Sequence, residues 1–207
     1  MKNNKFKKQK YVIVKNAISK ELAIFLYNYI LLKREVAKIY FERKFIPPNA
    51  DEWGIWNDPM IPNTYSSYGD VAMDTLLLKV QDIMEKIVEL KLIPTYSYVR
   101  IYKKGDILNR HVDRNSCEIS TTLNLGGDLW PIYLEPSGQK NKKGVKVDLS
   151  QGDMLIYRGK ELEHWRESFE GENCAQVFLH YKDVNEKDSI KYLYDGRPLL
   201  GVSSELK

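Results

Sequence analysis

The spacing of apolar residues changes character once along the chain, near residue 94. Before that point it is helical. Tyr11–Val14 is a short apolar run that predicts a strand. Ser19 then stands as an N-cap ahead of Leu22, Phe25, Leu26, Tyr29 and Ile30, which predicts a helix over about 20–40. Residues 41–70 break the pattern with Pro47, Pro48, Pro59, Pro62, Gly54 and Gly69, and carry Trp53 and Trp56. A connection of that length without periodicity predicts a functional loop or lid. Its tryptophans either cover a substrate or pack on the body. Asp70 is positioned to cap a second helix, about 71–91. Met73, Leu76, Leu77, Val80, Ile83, Met84 and Ile87 form its apolar stripe, and Lys79, Asp82, Glu85 and Lys86 its polar face. Pro94 is expected to end it.

From residue 95 the period is two. Tyr96, Tyr98, Arg100 and Tyr102 alternate with Ser97, Val99 and Ile101, which predicts a strand with three tyrosines and an arginine on one face. Glu118–Leu125, Trp130–Leu134, Val145–Leu149, Asp153–Tyr157 and Cys174–Tyr181 continue as short strands, separated by glycine-containing turns. Many short strands after a helical start predict a mainly β fold, a sandwich or jelly roll with the helices packed outside. No internal repeat is visible. The expected organisation is a basic flexible tail at 1–10 and one domain over 11–207. That domain divides into helical support and loop (11–94), a β core (95–182) and a C-terminal extension (183–207).

Composition narrows the class. The chain has 207 residues, 43% hydrophobic and 29% charged, as expected of a globular protein. Its most apolar stretch, Ala23–Leu32, is interrupted by Asn28, so no membrane span is expected, and no secretory signal is evident. Two cysteines, Cys117 and Cys174, make no disulfide framework, and a reducing cytoplasmic setting is the expectation. The net charge of +4 is concentrated at the start: Lys2, Lys5, Lys7, Lys8 and Lys10 are five of the 32 basic residues, and the rest of the chain carries 27 against 28 acidic. The basic character therefore belongs to a solvated tail, with weak, salt-sensitive affinity for polyanions at most.

The chemistry gathers around three histidines, His111, His164 and His180. In an extended strand residues i and i+2 share a face, so His111 and Asp113 can present an imidazole and a carboxylate to one cation. His164 follows the strand Asp153–Tyr157. Two histidines and one carboxylate on one face of a metal, with the other face open, make the donor set of non-haem iron(II) oxygenases. His-x-Asp alone is a weak motif; the tyrosine strand before His111 and the Gly152–Asp153 turn and strand before His164 give it context. His180 alone reads as a core or pocket-wall residue, sharing a strand face with Gln176 and Cys174.

The segment Tyr102 to Asp113 (YKKGDILNRHVD) resembles the Tyr…Gly…His-x-Asp region of 2-oxoglutarate/iron(II) dioxygenases, particularly the prolyl 4-hydroxylase-like group. Gly152–Tyr157 with Glu163–Arg166 is similar to that family's distal-histidine region, and the likeness spans about residues 95–182. The resemblance implies a double-stranded β-helix, with His111, Asp113 and His164 as iron ligands and Tyr102 donating its hydroxyl to 2-oxoglutarate. The family's basic anchor for the distal carboxylate falls where this chain has Cys174, and a neutral thiol cannot pair a carboxylate as a guanidinium does. Arg166 is the first substitute and Arg100 the second; a surface ion pair with Glu163 or Glu167 is the alternative for Arg166.

The implied activity couples decarboxylation of 2-oxoglutarate by dioxygen, with Fe(II) as cofactor and ascorbate as reductant, to hydroxylation of a substrate C–H. A prolyl residue of a peptide or protein is the expected target. A nucleic-acid demethylase of the same superfamily is a second reading; only the lysine tail favours it, and the body lacks a basic stripe or stacking platform. The third is a cupin-like metal-binding module without turnover.

Overall fold

The computed structural model describes residues 5–47, 50–139 and 142–207. Two antiparallel sheets face each other. The first has six strands in the order β1 (Tyr11–Val14), β8 (Met154–Arg158), β5 (Ile119–Gly127), β10 (Asn173–Asp183), β3 (Leu92–Lys103) and β2 (Tyr65–Tyr68). The second has four, β4 (Leu108–His111), β9 (Glu163–Arg166), β6 (Ile132–Glu135) and β7 (Val145–Val147). This is the expected mainly β architecture, with two helices on the outer face of the larger sheet.

Those helices form where the apolar period indicates. Helix α2 (Lys20–Glu42) follows α1 (Lys5–Gln9) and begins at Ser19, whose Oγ accepts from Leu22 N at 3.2 Å. Helix α3 (Val71–Val88) begins at Asp70, whose carboxylate accepts from Ala72 N and Met73 N. Ala23, Leu26 and Ile30 of α2, with Met73, Leu77, Val80 and Met84 of α3, bury against Val99, Ile101, Leu123, Val177 and Leu179 of the sheet.

The structure corrects several boundaries. Helix α3 ends at Val88, three residues early, because Glu89 adopts left-handed backbone (φ 58°) and its N–H returns to Glu85 O. Pro94 does not terminate a helix; it lies inside β3, beyond the end of β2 and beside an irregularity between His180 and Tyr181, where its missing N–H breaks no regular ladder. Three short strands lie outside those predicted: β2 (YSSY), β4 (LNRH) and β9 (EHWR) are mostly polar and carry no apolar run or alternation to mark them. Of the basic tail, Lys2 lies outside the described residues. Lys5–Gln9 is helical rather than a free tail, anchored by the buried Phe6 beneath the Arg158 guanidinium.

Pro48, in the expected 41–70 loop, also lies outside the described residues. The loop's tryptophans pack on the body: Trp56 against Phe41 and Tyr65, Trp53 against Tyr40. The C-terminal extension is tethered by a buried ion pair between Arg197 and Asp74, whose other oxygen accepts from Ser97 N and Oγ. No helix among the described residues is long and apolar enough to cross a membrane.

Candidate active site

The two sheets enclose a cavity of about 140 Å³, and His111, Asp113 and His164 are on its wall. Their convergence follows from strand pairing: β4 and β9 are neighbours in the smaller sheet, and His111 stands directly opposite His164 in the register. Asp113 is brought in just past the end of β4, its backbone N–H donating to Gly159 O at 2.9 Å. One donor atom from each of the three lies within 4.8 Å of the others. Asp113 Oδ1 is 3.7 Å from His111 Nε2 and 3.4 Å from His164 Nε2.

The same device orients both imidazoles. Nδ1 of His111 is 2.8 Å from Asn109 O, and Nδ1 of His164 is 3.0 Å from Leu162 O. A carbonyl only accepts, so each Nδ1 carries the proton and each Nε2 turns a lone pair toward Asp113. Burial, with His164 beside it, pushes His111 down to about 4, so it is neutral at pH 7. Asp113 is held well below the usual carboxylate range: burial opposes its charge, but His164 and the hydrogen bond from Ser120 outweigh that. Burial likewise opposes a charge on His164, and the Asp113 carboxylate more than offsets it, moving the pKa up. Two nitrogen lone pairs and one carboxylate oxygen on one side of a common centre suit a divalent first-row metal such as Fe(II).

Beyond the triad, the interior between the sheets holds two buried arginines, of which Arg100 lines the cavity and Arg166 lies off it, against Trp130. Arg100, on β3, is neutralised: its Nη2 is 2.6 Å and its Nε 3.1 Å from Asp58 Oδ2, which also accepts from Tyr98 Oη at 2.6 Å. Its Nη1 reaches Tyr102 Oη at 3.4 Å. Arg166, on β9, pairs with no carboxylate among the described residues. Its guanidinium donates to Trp130 O and, at 3.3 Å, to Thr122 Oγ1, and lies over the Trp130 ring. Its Nε has no hydrogen-bond partner among the described residues. The alternative of a surface pair fails: Arg166 is 1% exposed, and Glu163 pairs with Arg110 instead.

Cys174 sits opposite Tyr102 in the β3–β10 register and is fully buried. Gln176 Nε2 donates to its Sγ at 3.2 Å, and Thr122 Oγ1 donates to Gln176 Oε1 at 3.0 Å. Thr122 thus links Gln176, on Cys174's side, to Arg166, which reaches the interior from the opposite sheet. Tyr102 is buried against Trp130 at 4.7 Å, and His180 lines the cavity as a pocket-wall residue. Sequence reasoning missed Asp58, Ser120 and Thr122. Asp58 carried no signal in an aperiodic loop. Ser120 and Thr122 did, as polar residues alternating with Ile119 and Leu123 in β5.

No protein-family profile matches the chain, and no curated protein matches it in sequence. Solved structures do match in fold. A prolyl-4-hydroxylase from Pseudomonas putida superposes with a TM-score of 0.58 at 12% identity, covering 86% of this chain and 95% of its own. HygX from Streptomyces hygroscopicus, solved with nickel and 2-oxoglutarate bound, gives 0.57 at 13%, covering 87% and 85%. SnoN, a non-haem α-ketoglutarate-dependent epimerase from nogalamycin biosynthesis, gives 0.63 at 14%, covering 98% and 90%. The fold is the double-stranded β-helix of the 2-oxoglutarate/Fe(II) oxygenases, in its prolyl-hydroxylase-like form.

Proposed function

We propose that this chain is a 2-oxoglutarate- and Fe(II)-dependent dioxygenase that hydroxylates a substrate C–H. The observation that carries the reading is Arg166. An unpaired guanidinium in a protein interior is costly unless an anion completes it, and this one has an open Nε on the strand that carries His164. Arg166 and His164 share one strand face two residues apart, about 6.6 Å along the strand, a span that a five-carbon dicarboxylate can bridge. A cupin-like module without turnover needs the metal ligands but has no use for the second charge.

In this reading His111, Asp113 and His164 hold the metal on one face, and Asn109 O and Leu162 O keep both imidazoles in the ligating tautomer. Arg166 binds the distal carboxylate of the cosubstrate together with the Tyr102 hydroxyl. Arg100 does not compete for it, because Asp58 already occupies two of its nitrogens. Tyr98 and Phe178, on the cavity wall, limit access of water. Bound there, iron and 2-oxoglutarate supply the oxidising chemistry with dioxygen, releasing succinate and carbon dioxide as the substrate gains a hydroxyl group.

The first substrate class to test is a prolyl residue of a peptide or protein, supported by the likeness to the Pseudomonas putida enzyme. Met60, from the proline-rich segment, lines the same cavity, so that segment is within reach of a substrate held over the metal. Succinate release with Fe(II), 2-oxoglutarate and ascorbate decides between classes when proline-rich peptides, methylated oligonucleotides and a small-molecule panel are compared. Stimulation by the peptides is the expected result; stimulation by another arm reassigns the substrate. Failure to bind 2-oxoglutarate in the presence of metal would overturn the dioxygenase reading itself.

A further inference from the structure

Asp113 has two oxygens, and only one of them faces the imidazoles. Oδ1 looks toward both Nε2 atoms, while Oδ2 accepts from Ser120 Oγ at 2.7 Å. Ser120 Oγ is also 3.0 Å from Cys117 O and 3.0 Å from His180 Nδ1. A hydroxyl has one proton, and the shorter, charge-assisted contact to Asp113 takes it. Ser120 Oγ must then accept from His180, which fixes the proton on Nδ1. His180 is buried, its ring packed on Tyr96 at 4.6 Å, and burial keeps it neutral. Gly159 closes the other side: a Cβ there would lie 2.1 Å from Asp113 Oδ2 and 2.5 Å from Ser120 Oγ.

We infer that Ser120 and His180 are positioning residues that hold Asp113 as a single-oxygen ligand, through the directed chain His180 Nδ1–H to Ser120 Oγ–H to Asp113 Oδ2. The consequence is coordination number. A carboxylate with both oxygens free can close on a metal bidentately and consume a position that cosubstrate or dioxygen needs. With Oδ2 committed to Ser120, the three side chains supply three donor atoms and no more. Gly159 leaves room for this arrangement, since any larger residue would displace the carboxylate or the hydroxyl.

The inference rests on the metal reading above, and Co(II) and Mn(II) binding to the full chain separates the two. Wild type is expected to bind Mn(II) calorimetrically and to give a weak visible Co(II) spectrum that changes on adding 2-oxoglutarate. Ser120→Ala should weaken Mn(II) by about 10–100-fold and alter the Co(II) band intensity, with an unchanged melting temperature. His180→Phe should do the same more mildly. His180→Asn, whose amide puts an N–H donor near the position of Nδ1, should restore wild-type affinity within about threefold. If wild type binds neither metal, the metal reading fails. If wild type binds and Ser120→Ala matches it in affinity and spectrum, or His180→Asn is no better than His180→Phe, the positioning role alone is overturned.

Discussion

Along β5, Ile119, Leu123 and Leu125 bury under the helices, while Ser120 and Thr122 turn to the smaller sheet; along β10, Val177 and Leu179 do the first and Gln176 and His180 the second. The same two strands therefore build two interiors. The outer one is contiguous and mostly apolar, interrupted by the Arg197–Asp74 pair, and its apolar side chains contribute the ordinary ~25 cal/mol per Å² of area removed from water. The inner one contains two buried guanidiniums, three histidines and a run of hydroxyls, groups whose burial opposes folding unless each finds a partner. Apolar burial dominates the outer side, whereas on the inner side apolar clusters around Trp130 and Leu134 flank the polar groups at the cavity.

If that division holds, the largest effect comes from His111→Ala: metal content and succinate production should both vanish while the melting temperature stays at or above that of wild type. A collapse of the melting temperature would place the triad among the stabilising elements. Next, Arg166→Leu should raise the half-saturating 2-oxoglutarate concentration by about 100-fold without loss of thermal stability, because it removes an unpaired charge. Arg100→Leu is its contrast. It strands the buried Asp58 carboxylate, which Arg100 holds below the usual range against the effect of burial. Breaking such a pair costs about 3–5 kcal/mol in chemical denaturation. Equal behaviour of the two arginine variants in both assays would erase the distinction between them.

On the outer face, Leu77→Ala should destabilise by about 2–5 kcal/mol and leave the half-saturating 2-oxoglutarate concentration unchanged. The smallest effect is an acid one. Burial opposes the charge on Asp195, but hydrogen bonds from Lys207, Arg114 and Tyr68 outweigh it and hold the pKa at about 2. A depressed carboxylate stabilises the fold above its ordinary value near 4 and loses that contribution as the pH falls toward 2. Asp195→Asn should therefore flatten the melting-temperature profile between pH 4 and 2; an unchanged profile would mean that its bonds to Arg114, Tyr68 and Lys207 add nothing to stability.

How much of this was legible in the chain depended on periodicity. Helices α2 and α3 and the long strands declared themselves because enough residues repeat to define a face, as did the alternation that aligns Tyr96, Tyr98, Arg100 and Tyr102. His111 and Asp113 were visible because i and i+2 share a side of an extended chain. His164 was reachable only through its context and the likeness to a known family, since strand register is not written in spacing. Asp58 lay beyond reach: a carboxylate in an aperiodic, proline-rich segment gives no sign that it will close on Arg100, 42 residues away. Nor could sequence decide between Arg166 and Arg100, because the difference lies in which of them a carboxylate meets in space.

Because His111 and His164 face each other across one antiparallel ladder, backbone hydrogen bonding sets their separation, not the length of chain between them. Loops within residues 112–163 can lengthen or shorten without disturbing that distance, whereas a one-residue slip of β9 would turn His164 to the far side. Descendants of this chain are thus free to remodel the excursion, and with it what they recognise, while inheriting the two imidazoles at an unchanged separation.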